Sequence, residues 1–270
     1  MSIAHPVWDD ASWHPNEFDA VVIRTTWDYT SRRDEFVARV EAMAREVPVF
    51  NAPPLVRWNT EKSYLRSLEG AGVRIPPTRW LGSHEGSELG EWLEEGGWSR
   101  GFLKPTVGAA ASNTLRFTND AVGLARAAEH LSTLPMGTPM MLQPYLESVE
   151  SLGEYSFIVM DGTITHGVRK VPVPGDYRVQ DLFGAWEEAV TPSQAQRTFV
   201  HRVLDAAQQV GPDVAYPLLY ARVDLLQDDA GEMCLNELEL VEPSLFFRHE
   251  PRASGRLVKG LLKRLKRRAE

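Results

Sequence analysis

Cysteine is almost absent from this chain, since Cys234 is the only one among 270 residues. An intramolecular disulfide bond is therefore excluded, which fits a reducing compartment and predicts a cytoplasmic protein. Long apolar runs are also missing, because no stretch approaches the ~18 apolar residues of a membrane-spanning helix. No secretory signal opens the sequence. Neither a membrane protein nor a disulfide-stabilised secreted protein is expected.

Basic residues are fewer than acidic residues in this chain. The 29 Lys and Arg residues are outnumbered by 37 Asp and Glu residues, which gives a formal net charge of −8 at pH 7. Proteins that bind nucleic acids normally carry a basic surface, so we expect no nucleic-acid partner. Hydrophobic residues make up 43% of the chain, and its length allows one large domain or two to three small ones. No Ser-His-Asp or Cys-His nucleophile is evident.

The N-terminal region alternates between strand-like and helix-like segments. Residues 19–24 and 48–51 read as short buried strands, and residues 33–45 between them have helical spacing. This order predicts a parallel α/β unit. Asn59 is expected to cap a helix over residues 60–69, with Lys62 on its exposed side.

Two segments near the C-terminus alternate apolar and charged residues. Residues 221–225 and 236–240 each predict a strand with one polar face, and residues 228–231 predict the turn of a hairpin between them. With that turn, Arg222 lies opposite Glu237.

The pleat of this hairpin places Arg222, Asp224, Glu237 and Glu239 on one face. Three carboxylates repel one another there unless something lies between them. Hard divalent cations take oxygen ligands and share them with nucleotide phosphates, so the face predicts a magnesium–nucleotide site. A surface hairpin with solvated charges is the alternative.

Two lysines are candidates for contact with phosphates. Lys104 ends an apolar strand just before a loop of small residues, 106–113, whose backbone N–H groups can approach phosphates closely. A flexible connection is the alternative for this loop. Lys62 is a solvated helical lysine by default, and it gains interest only as a second cation for the same phosphates.

Polar residues also follow the next strand. The segment Gln143-Pro144-Tyr145 ends a strand with a proline, which frees local backbone groups that can read an adenine edge. Glu154 can accept hydrogen bonds from ribose hydroxyls. Ordinary strand-edge residues are an equally good interpretation of both.

Two further segments point to an anionic substrate. Arg169, Lys170 and Arg178 surround a Pro/Gly loop, which suggests a closing arm over an anionic group, although a surface loop with incidental charge explains them equally well. Trp27 and Asp28 follow the first predicted strand, at the carboxyl end where ligands of open α/β sheets gather. Packing is the alternative for Trp27.

In order along the chain, these motifs resemble the ATP-grasp superfamily of carboxylate ligases. The matching segments are residues 59–62, 72–78, 102–105, 143–145, 153–154 and 222–239. Residues 175–178 are similar to the substrate loop of glutathione synthetase and of the ribosomal-protein glutamate ligase. Narrower motifs at residues 24–29, 57–62, 175–180 and 239–245 resemble the D-cycloserine-forming ligases, which close O-ureido-D-serine into a ring at the expense of ATP.

The resemblance implies an α/β (α+β) protein with the ATP-grasp fold, in which two α+β lobes clasp ATP. It implies an N-terminal parallel α/β domain over residues 1–58, a first lobe over 59–142 and a second lobe over 143–270. The strand and helix that normally precede the segment at residues 7–10 are not seen, so we expect the N-terminal domain to be partial.

The resemblance also assigns roles to residues. Those it implies for catalysis are Arg222, Arg178 and Lys170. Those it implies for nucleotide binding are Lys62, Lys104, Gln143, Tyr145 and Glu154. The metal ligands would be Asp224, Glu237 and Glu239. The substrate would contact Trp27, Asp28, Arg169, Glu242 and Ser244.

The implied activity is ATP-dependent ligation of a carboxylate to an amine through an acyl phosphate. The implied cofactors are ATP and Mg²⁺, or Mn²⁺ in its place, and the implied partners are an amino-acid-like small molecule and a second copy in a homodimer. Two alternatives remain open from the sequence. One is a nucleotide-binding regulatory protein that has lost turnover, and the other is a kinase-like enzyme that transfers phosphate to a hydroxyl.

Overall fold

The computed structural model describes residues 2–82, 88–215 and 217–269. Its strands are β1 (Val21–Val22), β2 (Val49–Phe50), β3 (Arg79–Leu81), β4 (Arg100–Pro105), β5 (Leu115–Thr118), β6 (Met140–Pro144), β7 (Glu154–Met160), β8 (Thr163–Val171), β9 (Trp186–Val190), β10 (Tyr220–Gln227) and β11 (Met233–Glu239). Its α-helices are α1 (Arg33–Ala44), α2 (Pro53–Asn59), α3 (Tyr64–Gly70), α4 (Leu89–Gly96), α5 (Ala121–Thr133), α6 (Ser148–Ser151), α7 (Gln194–Val210) and α8 (Arg252–Ala269).

The strands form three sheets. β1 and β2 pair in parallel with α1 between them in sequence, which confirms the predicted N-terminal parallel unit. A four-stranded sheet has the order β3-β6-β4-β5, and a five-stranded sheet has the order β11-β10-β7-β8-β9. All neighbours in these two sheets are antiparallel. Two antiparallel sheets with helices beside them agree with the predicted α/β (α+β) class.

The largest core lies on the five-stranded sheet. Helix α7 begins at a capping box, in which Ser193 Oγ accepts from Gln196 N and Gln196 Oε1 accepts from Ser193 N. Its apolar face packs with Leu65 and Leu68 of α3 against this sheet. Helix α3 therefore shares a core with the second predicted lobe, and the domain boundaries at 58/59 and 142/143 stay predictions.

Buried hydrogen bonds attach the N-terminal unit to the five-stranded sheet. Asn51 Nδ2 donates to Tyr220 O over 2.9 Å and to Leu240 O over 2.7 Å. The Tyr220 hydroxyl lies 2.7 Å from Val241 O and 3.0 Å from Ile23 O. Because buried polar groups keep their partners, these bonds fix the residues that follow β1 and β2 beside the start of β10 and the end of β11.

The helix start predicted at Asn59 is wrong, because Asn59 is the last residue of α2. Pro53 favours a helix that begins there, since proline fits the first turn. The Asn59 side chain instead donates to Leu238 O and accepts from Leu240 N, both over 2.7 Å. Residues 60–63 consequently form a turn that leads Lys62 inward.

The last helix, α8, is basic. Among the described residues, no helix has both the length and the apolar character that crossing a membrane requires.

Candidate functional site

A cavity of about 470 Å³ lies between the four-stranded and five-stranded sheets. Most of the predicted site residues line it: Trp27, Lys62, Lys104, Gln143, Tyr145, Glu154, Lys170, Arg178, Arg222, Asp224, Glu237, Glu239, Glu242 and Ser244. Residues that are distant in sequence therefore meet at one place.

Two predicted substrate residues, Arg169 and Asp28, do not line this cavity. Successive strand residues point to opposite faces, so Lys170 of β8 faces the cavity and Arg169 faces away. Arg169 Nη2 lies 2.5 Å from Glu188 Oε1 on β9. Asp28 instead accepts from Trp8 Nε1 at 3.1 Å. Both assignments stay predictions, and the cavity lining gives them no support.

The register of β10 and β11 differs from the prediction. Arg222 lies opposite Glu239, and Asp224 lies opposite Glu237. The connection spans residues 228–232 instead of 228–231, and a β-bulge follows Asp224. The bulge leaves Asn236 without an opposite residue. It shifts the pairing by one residue and so keeps the charged side chains on the cavity face.

The three predicted metal ligands converge. Asp224, Glu237 and Glu239 each offer a carboxylate oxygen, and these oxygens lie within 4.8 Å of one another. Asp224 also accepts from Ser156 Oγ over 2.6 Å. Oxygen atoms at this spacing match what a hard divalent cation takes as ligands.

Arg222 holds this carboxylate cluster on one side. Its Nε and Nη2 donate to the two oxygens of Asp224 over 2.9 and 2.8 Å, and Nη2 also contacts Glu239. Desolvation opposes the charge on Arg222, but Asp224 and Glu239 outweigh it and raise the pKa of the guanidinium. Asp224 is likewise desolvated, yet Arg222 and Lys170 lower the pKa of its carboxyl.

Glu239 shows that the cluster is short of positive charge. Burial raises the pKa of Glu239 to about 8 in spite of Arg222, and Glu237 adds to the rise. A partly buried carboxylate without sufficient countercharge is costly, and a divalent cation would remove that cost. The donor set and its charge therefore fit a metal ion.

Both predicted lysines, Lys62 and Lys104, contact side chains of β11 on the cavity wall. Lys62 Nζ lies 2.9 Å from Glu237 Oε1 and donates to Gly108 O over 2.8 Å. Its exposure is only 8%, so the predicted exposed position on a helix is wrong. Lys104 Nζ donates to Asn236 Oδ1 over 3.1 Å, and burial lowers the pKa of Lys104 to about 8.

Asn236 is a site residue that the sequence did not reveal. Its Oδ1 accepts from Lys104, and its Nδ2 donates to Glu154 Oε2 over 2.5 Å. Glu154 also contacts Lys170 Nζ. Simple alternation would turn Asn236 to the apolar face, and only the bulge directs it into the cavity. A period-two pattern carries no signal for a bulge.

Aromatic side chains form another part of the wall. Phe102 and Tyr177 join Tyr145 there, with the Phe102 ring 5.2 Å from Tyr177 and 6.3 Å from Tyr145. Gln143 Nε2 donates to Thr78 Oγ1 over 2.8 Å, which fixes the amide beside these rings. Flat apolar rings with a fixed amide suit a planar heterocycle.

The turn at residues 242–244 is held by three side chains. Trp27 Nε1 donates to Glu242 O over 3.2 Å, Arg24 Nη2 to Pro243 O over 2.7 Å, and Arg222 Nη1 to Ser244 O over 3.4 Å. Burial raises the pKa of Glu242 to about 7, with Glu237 as the next cause.

Known proteins are similar to this chain in sequence and in architecture. The family model for the N-terminal domain of the D-cycloserine synthetase DcsG matches residues 1–51. The cycloserine biosynthesis protein DcsG of Streptomyces lavendulae is 31% identical over 267 residues, which cover 96% of this chain and 87% of the relative.

Solved structures of related proteins have a similar fold. The crystal structure of D-cycloserine synthetase DcsG has a TM-score of 0.84 and 28% identity, and the likeness covers 96% of this chain and 88% of that one. The ATP-grasp ligase PsnB, complexed with a phosphomimetic variant of minimal precursor, Mg and ADP, has a TM-score of 0.60 and 21% identity over 90% of this chain and 79% of that one. The second likeness concerns the fold alone. The predicted resemblance is thus confirmed: the chain is an ATP-dependent ligase with the ATP-grasp fold and belongs to the family of the cycloserine synthetase DcsG.

Proposed function

We propose that this ligase activates the carboxylate of an amino-acid-like small molecule with ATP in antibiotic biosynthesis. The observation that carries the proposal is the convergence of three carboxylates, Arg222 and two buried lysines on one cavity wall. Family membership favours a ligase over the regulatory protein and the kinase-like enzyme that the sequence left open.

The nucleotide would lie along the cavity. Lys62, Lys104 and Arg222 supply the positive charge for its phosphates. Its base would lie against Gln143 and Tyr145. Glu154 would accept from the ribose only after giving up its bond to Asn236 or its contact with Lys170.

Asp224, Glu237 and Glu239 would hold Mg²⁺, or Mn²⁺ in its place. The ion, when bound, neutralises phosphate charge and orients the γ-phosphate for attack. Without the ion, Arg222 forms ion pairs with Asp224 and Glu239, and Lys62 forms an ion pair with Glu237.

The reaction would proceed in two steps. A carboxylate oxygen of the substrate attacks the γ-phosphorus, and the bond to ADP breaks to leave an acyl phosphate. An amine nitrogen, on a second molecule or on the same one, then attacks the acyl carbon, releases phosphate and loses a proton. Because phosphoryl transfer requires mainly positioning and charge neutralisation, no protein nucleophile is needed.

The acid would lie at the end of the cavity near residues 242–244. Arg178 and Lys170 would orient its acyl phosphate, and Trp27, Glu242 and Ser244 would face the rest of the molecule. Arg169 and Asp28 have no part in this proposal, because they lie outside the cavity. We further propose a cytoplasmic enzyme that forms a homodimer.

Release of ADP with a panel of amino acids, including O-ureido-D-serine, tests the proposal. Hydroxylamine should trap a hydroxamate, because an acyl phosphate yields one and a phosphorylated hydroxyl does not. Arg222→Ala and Glu237→Gln should each lower turnover by at least tenfold. Turnover within about threefold of wild type in either variant, less than ~1 kcal/mol of barrier, would contradict the site assignment.

A further inference from the structure

The loop that carries Arg178, residues 172–180, is attached to the opposite wall of the cavity. The loop follows β8 of the five-stranded sheet, whereas Arg116 lies on β5 of the four-stranded sheet. Arg116 Nη2 donates to Gly175 O over 3.2 Å. Gly175 has a φ of +85°, which glycine adopts at no steric cost. This bond therefore joins the two sheets through the main chain of the loop.

Tyr177 forms a second contact between the loop and the four-stranded sheet. Its hydroxyl lies 2.9 Å from Thr114 Oγ1 and donates to Thr114 O over 3.1 Å. Its ring packs edge-to-face on Phe102 of β4. The loop is thus held at two points on the same sheet.

Arg116 also reaches the aromatic part of the cavity. Its Nη1 donates to Glu150 Oε1 over 2.5 Å and to the Tyr145 hydroxyl over 3.1 Å. The guanidinium carbon lies 5.0 Å from the Tyr145 ring centroid and 5.7 Å from that of Tyr177. Arg116 does not itself line the cavity, but it contacts two rings that do.

Within the loop, the Arg178 guanidinium is bonded to its neighbours. Both Arg178 Nε and Nη2 donate to the Asp176 carboxylate, which also accepts from the backbone N–H groups of Tyr177 and Arg178. The guanidinium lies 3.9 Å from the Phe183 ring centroid. A displacement of the loop main chain therefore displaces the Arg178 guanidinium.

We infer that Arg116 is a positioning residue that couples occupancy of the aromatic part of the cavity to the placement of Arg178. A nucleotide base against Tyr145 and Tyr177 restricts both rings, and Arg116 transmits this restriction to Gly175. Ordering of one segment then lowers the entropic cost of ordering the next. The inference rests on the proposed nucleotide site, while Arg116 touches neither the nucleotide nor the acid.

Hydrogen–deuterium exchange of the full chain tests this inference, with Mg²⁺ and the nonhydrolysable analogue AMPPNP as the probe. In the wild type, AMPPNP should slow exchange of the peptide covering residues 172–184 by at least fivefold. In Arg116→Gln, this gain should fall below twofold, while the Kd for AMPPNP changes by less than threefold. Arg116→Lys keeps a charge beside Glu150 but lacks the guanidinium fork, so its gain should be intermediate.

Arg79→Gln is the matched control. Arg79 lies on β3 of the same sheet, and its ion-pair partner Glu95 belongs to the neighbouring helix α4. This variant should keep the wild-type gain in protection. Should Arg116→Gln fail to fold, Arg116→Lys decides, because it changes the same residue and lacks the fork that donates to both Gly175 O and the Tyr145 hydroxyl.

Two outcomes would overturn the inference in distinguishable ways. An equal gain in the wild type, Arg116→Gln and Arg116→Lys, with AMPPNP bound in all three, would show that Arg116 transmits nothing to the loop. A wild type that does not bind AMPPNP would contradict the proposed nucleotide site, and the coupling with it.

Discussion

Arg222 and Asp224 form a two-point ion pair two residues apart on β10, and both side chains are buried. Removal of Asp224 leaves the buried Arg222 with Glu239 as its carboxylate partner and takes away the acceptor of Arg222 Nε and Ser156 Oγ. Asp224→Ala should therefore lower the free energy of unfolding by about 1–3 kcal/mol in metal-free buffer. Urea denaturation measures this change, with the exposed neighbour Asp229→Ala as the control. A change below about 0.5 kcal/mol, the range of ordinary surface substitutions, would show that the pair contributes little to folding.

Removal of the divalent cation should reduce the rise in thermal stability that nucleotide binding produces. At about 100 times its Kd, a ligand that binds only the folded state adds ~2.7 kcal/mol, which for a chain of this size raises Tm by about 5–10 °C. AMPPNP with Mg²⁺ should produce such a shift, and EDTA should remove more than half of it. Glu237→Gln should resemble the EDTA result, whereas Glu232→Gln, an exposed residue of the same hairpin, should resemble the wild type. A full shift in EDTA would argue against the metal site.

Nucleotide affinity should fall in alkaline solution because of Lys104. Burial lowers the pKa of Lys104 to about 8, and only the protonated lysine attracts phosphate. Below pH 7 this group is already protonated before binding, so it adds no pH dependence. Above pH 8 binding must restore the proton, and the Kd for AMPPNP should rise by up to about tenfold per pH unit.

Calorimetric titration from pH 6.5 to 9.5 measures this dependence. Lys104→Met should flatten the alkaline rise, and Lys259→Met, an exposed lysine of α8, should keep it. The same lowered pKa affects folding with the opposite sign. Between pH 8 and the usual lysine value of 10.5, the unfolded chain binds more protons, so the contribution of Lys104 to stability rises with pH. An alkaline rise that Lys104→Met retains would assign the effect to another group.

Asn236→Ala should weaken both ATP binding and the fold. The change removes the acceptor of Lys104 and a donor to Glu154, so we expect a destabilisation of about 1–3 kcal/mol and a several-fold higher KM for ATP. Denaturation and the dependence of ADP release on ATP concentration measure the two effects. An unchanged KM would show that Asn236 does not hold Lys104 in place.

Most of the local structure could be predicted from the sequence. The apolar stripe and the Ser193–Gln196 capping box of helix α7 are both local signals. The parallel unit of β1 and β2 and the two strands of the β10–β11 hairpin were predicted from local periodicity. Asn59 was misread, because its side chain bonds to β11, about 180 residues away, and a local pattern contains no trace of that bond.

By itself, the sequence determined the strands, most helices and the residue types of the proposed magnesium–nucleotide site, because these follow from periodicity and side-chain chemistry. The tertiary structure alone decided which side chains meet. The bulge beside Asp224 turns Asn236 inward, the alternation of β8 turns Arg169 outward, and Arg116 joins two sheets. Each outcome depends on strand register or on contact between distant segments. Register is fixed by packing in the folded molecule, so no single segment of the sequence reveals it.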